Sequence, residues 1–259
     1  MYPELFNICG IPIFSYGFFL ALGFILATYS LVETGKRFNL NNDHLMDLAI
    51  YALISGIVGA RLLYIIINFP YYIQNPLEII MINRGGLVFY GGFIASVITC
   101  MYYIRSKKMP FLTTGDCIMA VLPIGQMFGR IGCFMNGCCF GSPSVLPFRV
   151  TFPITSHAFY HYQEFTPVHP VQLYESLLTG LLFLFLVTII ERKKFDGQII
   201  ALYGMLYPII RFLLEFLRGD NDKILTGLTM SQFISIVIFI ISASIYRYLS
   251  LERKKSARI

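Results

Sequence analysis

Tryptophan is absent from the chain of 259 residues, and charge is scarce: 13% of the side chains are Asp, Glu, Lys or Arg, where a soluble domain carries about 25%. Together with 56% apolar residues and a mean hydropathy of +0.68, this scarcity excludes an ordinary water-soluble fold. The composition is that of a polytopic membrane protein. Without Trp, the 17 tyrosines and 24 phenylalanines must supply the aromatics of the membrane interface. No internal repeat is visible, which argues against a transporter built from repeated halves. There is no low-complexity tract and no second soluble domain. The net charge of +6 does not point to nucleic acid, because the basic residues sit in short clusters between apolar spans. The N-terminal segment holds Glu4 and no basic region. No cleavable signal peptide is expected, and the first apolar run remains as a membrane helix.

A membrane helix needs about 20 mostly apolar residues. The hydropathy pattern predicts an all-α chain of seven spans, near 13–32, 48–67, 87–104, 116–134, 170–190, 198–217 and 228–246. They form one integral-membrane domain over 1–259, with an insertion at about 137–168 and a basic tail at 247–259. Thirteen basic residues fall on one side of these spans: Lys36, Arg37, Arg105, Lys107, Lys108, Arg192, Lys193, Lys194, Arg247, Arg253, Lys254, Lys255 and Arg258. The other side holds Arg84, Arg149, Arg218 and Lys223, while Arg61, Arg130 and Arg211 lie within spans. The positive-inside rule then puts the N-terminus outside and the C-terminus in the cytoplasm, as an odd number of spans requires. The tail reads as an anchor beside anionic lipid.

One stretch gathers unusual residues. From Gly129 to Gly141, four glycines, three cysteines, Arg130 and Asn136 share thirteen positions. An arginine within a span is costly unless it lines a polar cavity, and so marks a functional site. Arg130 and Arg211 fall near the outer interface, where a guanidinium fork suits a lipid phosphate. The plainer reading pairs each arginine with a buried carboxylate, and Glu175, Glu215 and Asp116 are available. For Arg61, deep in the second span, the two readings are equally weighted. Arg211, Glu215 and Arg218 are spaced to share a helical face, as are Gln172 and Glu175. Gly85, Gly86, Gly91 and Gly92 surround Tyr90 at the start of the third span. They permit close helix packing or present backbone N–H groups to an anion. His169 opens the fifth span, either as a capping residue or as a ligand contact. Cys133, Cys138 and Cys139 leave three readings open. They are a zinc site completed by a histidine of the following loop, an extracytoplasmic disulfide, or packing residues around a tight turn.

These segments, in this order, resemble the phosphatidylglycerol–prolipoprotein diacylglyceryl transferase family. The resemblance rests on 129–141, the Tyr90 glycine segment, His169-Pro-Val-Gln-Leu-Tyr-Glu175 and Arg211-x₃-Glu215-x₂-Arg218. Tyr16-Gly17, Gly59-Ala-Arg61 and Asp116 extend it over nearly the whole chain. It implies seven helices and a multi-pass protein of the bacterial plasma membrane. It also implies transfer of diacylglyceryl from phosphatidylglycerol to the cysteine thiol of a prolipoprotein signal peptide, with release of glycerol 1-phosphate. The family's two key arginines correspond to Arg130 and Arg211, and Tyr16, Asn136, Gly141, Tyr207, Glu215 and Arg218 also match. His169 joins the expected lipid-binding set, Tyr90 the catalytic set, and neither metal nor cofactor is expected.

Three positions depart from the family pattern. Tyr90 replaces its usual histidine, Cys133 an asparagine and Cys138 a glutamate. The base for the acceptor thiol is therefore not apparent. Two alternatives stand beside this reading: a related lipid-modifying transferase with another acceptor, and a redox or metal-binding membrane protein built on the cysteines.

Overall fold

In a computed structural model, the structure describes residues 4–8, 11–81, 85–221, 224 and 227–256. Arg84, Lys223 and Arg258 lie outside them. The chain divides into two compact units, Gly35–Thr114 and the combination of Met1–Thr34 with Gly115–Ile259.

The larger unit opens with a hairpin, β1 (Glu4–Ile8) paired antiparallel to β2 (Ile11–Phe14), and continues into α1 (Ser15–Lys36). The first span was expected from residue 13, but Ile13 and Phe14 belong to the strand. Pro12 lacks a backbone donor and suits this edge hairpin better than a helix interior. Next come α5 (Phe111–Asn136), the insertion, α7 (Val171–Ile189), α8 (Gln198–Glu215) and α9 (Met230–Ser256). The smaller unit holds α2 (Asn42–Ile67), the short α3 (Phe69–Gln74) and α4 (Phe89–Ser106).

Among the described residues, six helices are long and apolar enough to cross a membrane: α1, α2, α5, α7 with the turn that follows it, α8 and α9. The seventh expected span, α4, is a helix of 18 residues outside that set. Its packing against α2 has the form of a membrane helix pair. Ser96 Oγ donates to Ala52 O at 2.8 Å, and Val88 N to Ala60 O at 3.1 Å. A Cβ on Gly92 would stand 2.7 Å from Gly56 O, and one on Gly59 would strike Ala95. Small residues at such a seam let the two backbones approach closely.

Helix ends follow local chemistry. Asn41 caps α2 by accepting from His44 N at 3.1 Å. Thr229 and Gln232 form a reciprocal capping box at the head of α9, Gln232 N to Thr229 Oγ1 at 3.3 Å and Thr229 N to Gln232 Oε1 at 3.0 Å. The box fixes the start of α9, and the helix runs well into the basic tail, which was expected to begin at 247.

The insertion has a small core of its own. Phe140, Phe152, Ala158 and Val168 are buried together, with Phe134, Val150 and Tyr162 against them. Strands β3 (Val150–Thr151) and β4 (Pro167–Val168) pair antiparallel, and α6 (His157–Tyr162) is capped by Ser156.

Candidate active site

The site grows from the end of α5. Gly137 N bonds Phe134 O at 3.2 Å, Cys138 N bonds Cys133 O at 3.2 Å, and Gly137 has φ +72°. This is the Schellman ending, in which a residue in the left-handed region turns the chain back over the last helical turn. The turn brings Cys138 and Cys139 over Cys133. The three sulfurs lie within 4.8 Å of one another. Asn136, the last residue of α5, gives its side chain to Cys138. Tyr16 of α1 stands within electrostatic reach of the three thiols and of Arg130. The Cys139 thiol is held below its ordinary range by hydrogen bonds with Cys133 and Cys138; burial opposes this, while Arg218 and Arg130 add to it.

Beyond the turn, the loop threads between two elements. Gly141 N bonds His169 O at 3.1 Å, Ser142 N bonds Leu217 O at 2.8 Å, and Gly219 N bonds Phe140 O at 3.1 Å. A Cβ on Gly141 would strike the carbonyl of His169, so the residue must be small. Gln172 Nε2 ties the head of α7 to Cys138 O at 2.7 Å.

Beside this turn lies a chain of ionised groups from α5, α7 and α8. Glu175 is 1% exposed. Its Oε2 takes Arg130 Nε at 3.0 Å and Arg211 Nη1 at 3.6 Å, and its Oε1 takes the Tyr207 hydroxyl at 3.3 Å. The Tyr207 ring stacks on Tyr203. Arg211 Nη2 reaches Glu215 Oε2 at 2.9 Å and the Ser231 hydroxyl at 3.3 Å. Glu215 Oε1 accepts from Asn221 at 2.5 Å and Thr229 at 2.7 Å. Arg218 forks onto Asp220 at 2.9 and 2.7 Å, with Glu215 3.9 Å away. The Arg130 and Arg211 side chains stay 21% and 15% exposed, and Arg211 Nη1 has no hydrogen-bond acceptor. The arrangement is a row of guanidinium groups held by buried carboxylates, with edges left to meet an anion.

A family model described as prolipoprotein diacylglyceryl transferase matches residues 3–248. The chain is 42% identical to the phosphatidylglycerol–prolipoprotein diacylglyceryl transferase of Finegoldia magna, over 91% of this chain and 90% of that protein. It is 36% identical to the enzyme of that name from Clostridium tetani, over 95% and 97%. The chain belongs to the prolipoprotein diacylglyceryl transferase family.

The structure of this transferase sorts the expected residues. Arg130, Arg211, Tyr207, Glu215 and Arg218 come together around the carboxylates, and Tyr16, Asn136 and Gly141 stand at the adjoining turn. Arg218 does so from the turn after α8 rather than from the helix. His169 does not cap α7 through its side chain. Its Nδ1 is buried without a partner, and the residue borders a groove with Leu146 and Arg149. Tyr90 stands in the smaller unit on α4, 59% exposed, its ring edge-on to Phe89.

One expected arginine partner, Asp116, and one in-span arginine, Arg61, lie apart from this row. Asp116 pairs with none of the in-span arginines. Its carboxylate accepts Gly197 N at 2.9 Å, Ile199 N at 3.0 Å, Ile200 N at 3.1 Å and Lys193 Nζ at 3.0 Å. Three unpaired N–H groups at the head of α8 draw it there. Arg61 is structural: Nε, Nη1 and Nη2 bond the carbonyls of Ile79, Gly85, Gly86, Glu78 and Met81, between Tyr64 and Tyr72. Thr229, Asn221 and Ser231 escaped notice in the sequence. The Thr-x-x-Gln capping pattern was a signal for the first; the other two carried none.

Proposed function

We propose that the chain transfers diacylglyceryl from phosphatidylglycerol to the cysteine thiol of a prolipoprotein signal peptide, in the bacterial plasma membrane. The observation that supports this most is the meeting of Arg130 and Arg211, from separate helices, on one oxygen of Glu175. The acceptor thiolate attacks the glyceryl carbon next to the phosphate. The carbon–oxygen bond breaks, its electron pair passes to the phosphate, and glycerol 1-phosphate departs. The charge that grows on the phosphate is where a fixed guanidinium pair acts most strongly. Glu175 and Glu215 hold the pair in place before lipid arrives. Tyr16, Asn136, Gly141, Tyr207, Arg218 and His169 line the lipid's polar end. Tyr90 positions the acceptor.

The test uses purified protein, phosphatidylglycerol vesicles and a signal peptide with one cysteine. Arg130→Ala or Arg211→Ala is expected to slow the peptide's mass gain at least about 100-fold, while the protein still folds and melts only several degrees lower, as Glu175 loses one of its two cations. Wild-type rates in either variant would count decisively against the proposal. Tyr90→Phe is expected to lower the rate; full activity would remove Tyr90 from the mechanism.

A further inference from the structure

The acceptor thiol needs to become a thiolate, and no histidine stands at position 90 to take its proton. Among the described residues, Cys133, Cys138 and Cys139 are the group of side chains spaced to hold a metal ion. All three are free thiols and half-buried. A zinc ion with Zn–S bonds of about 2.3 Å needs sulfurs roughly 3.8 Å apart in tetrahedral geometry. Sulfurs already within 4.8 Å reach this by small side-chain rotations. The Schellman turn sets the spacing in the backbone, so the cluster is built by the fold. No histidine belongs to the group, and its fourth position is left to an outside ligand. Arg130 and Arg218 stand near enough to act on Cys139 electrostatically, and they offset the net negative charge of a three-thiolate zinc site.

We propose that Cys133, Cys138 and Cys139 hold a thiophilic divalent cation, zinc in the cell, whose open fourth position binds the acceptor cysteine of the signal peptide. The inference rests on the transferase reading. The acceptor thiol releases its proton to water on binding the ion, as thiol ligands do. The bound thiolate attacks the glyceryl carbon, the carbon–oxygen bond breaks toward the phosphate, and the neutral thioether leaves the metal. No electrons are exchanged with any other reactant.

The test is a titration with Cd²⁺ as the probe. Full-length protein is reduced, its thiols are counted, and the reductant is removed without oxygen. One equivalent is expected to bind, with a thiolate-to-metal absorption band. Cys138→Ser or Cys139→Ser is expected to weaken binding at least 100-fold. A signal peptide with its cysteine is expected to raise the band by about a third, as a fourth sulfur joins three, and its Ser analogue to leave it unchanged. No saturable binding by the reduced protein overturns the proposal, as does binding that survives both substitutions. Transfer is then assayed after chelation and after zinc is restored. Full transfer by metal-free protein sinks the metal proposal and leaves the transferase reading intact. One equivalent bound, with no mass gain on the peptide under any condition, sinks the transferase reading and leaves the metal site.

Discussion

Glu175 carries two arginines on a single oxygen, and this sharing sets what its loss would do. A buried carboxylate between two cations offsets their repulsion and fixes their angle. In Glu175→Gln the amide keeps the shape and loses the charge. Breaking a fully buried pair costs about 3–5 kcal/mol; the exposure of both arginines reduces this to about 2 kcal/mol. Glu175→Gln is therefore expected to melt several degrees lower and to lose more than tenfold in kcat. An unchanged kcat would show that the carboxylate does not position the arginines. Arg61 makes the opposite case. It spreads its donors over five carbonyls of residues 78–86, and a lysine offers three donors from one point. Arg61→Lys is expected to speed proteolysis of that loop about tenfold in the purified protein. The arginines stood out in the sequence because each interrupts an apolar run. That Arg211 would meet Glu215 was legible in their spacing of four; that Arg130 would meet Glu175, 45 residues away, was not, because so distant a partner leaves no local pattern.

At the scale of elements, α8 is held at its head by Asp116 and near its foot by Glu215. The Asp116 carboxylate does for α8 what a local capping residue does elsewhere, since Gly197 at the N-cap has no side chain to offer. Asp116→Asn keeps an acceptor and loses the charge, and is expected to cost about 1–2 kcal/mol, read as a lower melting temperature. Lys193 gives the pH dependence. Burial alone would lower its proton affinity; its hydrogen bonds to Asp196 and Asp116 outweigh that and raise it. A raised lysine stabilises the fold fully below its unfolded value, about 10.4, and that contribution is lost as pH rises through the folded value. The wild type is expected to lose stability above about pH 10 more steeply than Lys193→Met. Parallel melting curves from pH 8 to about 12 would refute the coupling. The helices themselves were legible from their apolar runs. Their ends were less so, because caps such as Asp116 come from elsewhere in the chain.

For the whole molecule, the helix count and the charge count must agree. The thirteen basic residues assigned to one side include Lys36 at the end of α1, Arg105 at the end of α4, Arg192 after α7 and Arg253 in α9. That assignment works when the chain crosses the membrane between each of these groups and the next an even number of times. With six crossings and α4 left out, Lys36 and Arg37 part from the other eleven, Arg84 joins those eleven, and the bias weakens from thirteen against four to twelve against five. At 1.5 Å per residue α4 is about 27 Å long, close to the roughly 30 Å of bilayer hydrocarbon. Phe93, Ile94 and Ile98 are exposed along it, which suits lipid rather than water. The insertion at 137–168 was visible only as a polar, proline-bearing gap, because its buried residues are too few and irregularly spaced to show a period. The seven-span topology predicts where reporters will work. A fluorescent protein that matures only in the cytoplasm is expected to glow when fused after residue 256 or inserted at 107–109, and to stay dark at 145–147. Alkaline phosphatase, active only outside, is expected to give the reverse pattern. Fluorescence from the insertion, or phosphatase activity at the C-terminus, would overturn this orientation and put the arginine row on the wrong face of the membrane for a secreted acceptor; phosphatase activity at 38–40 with fluorescence at 107–109 would remove α4 from the set of spans.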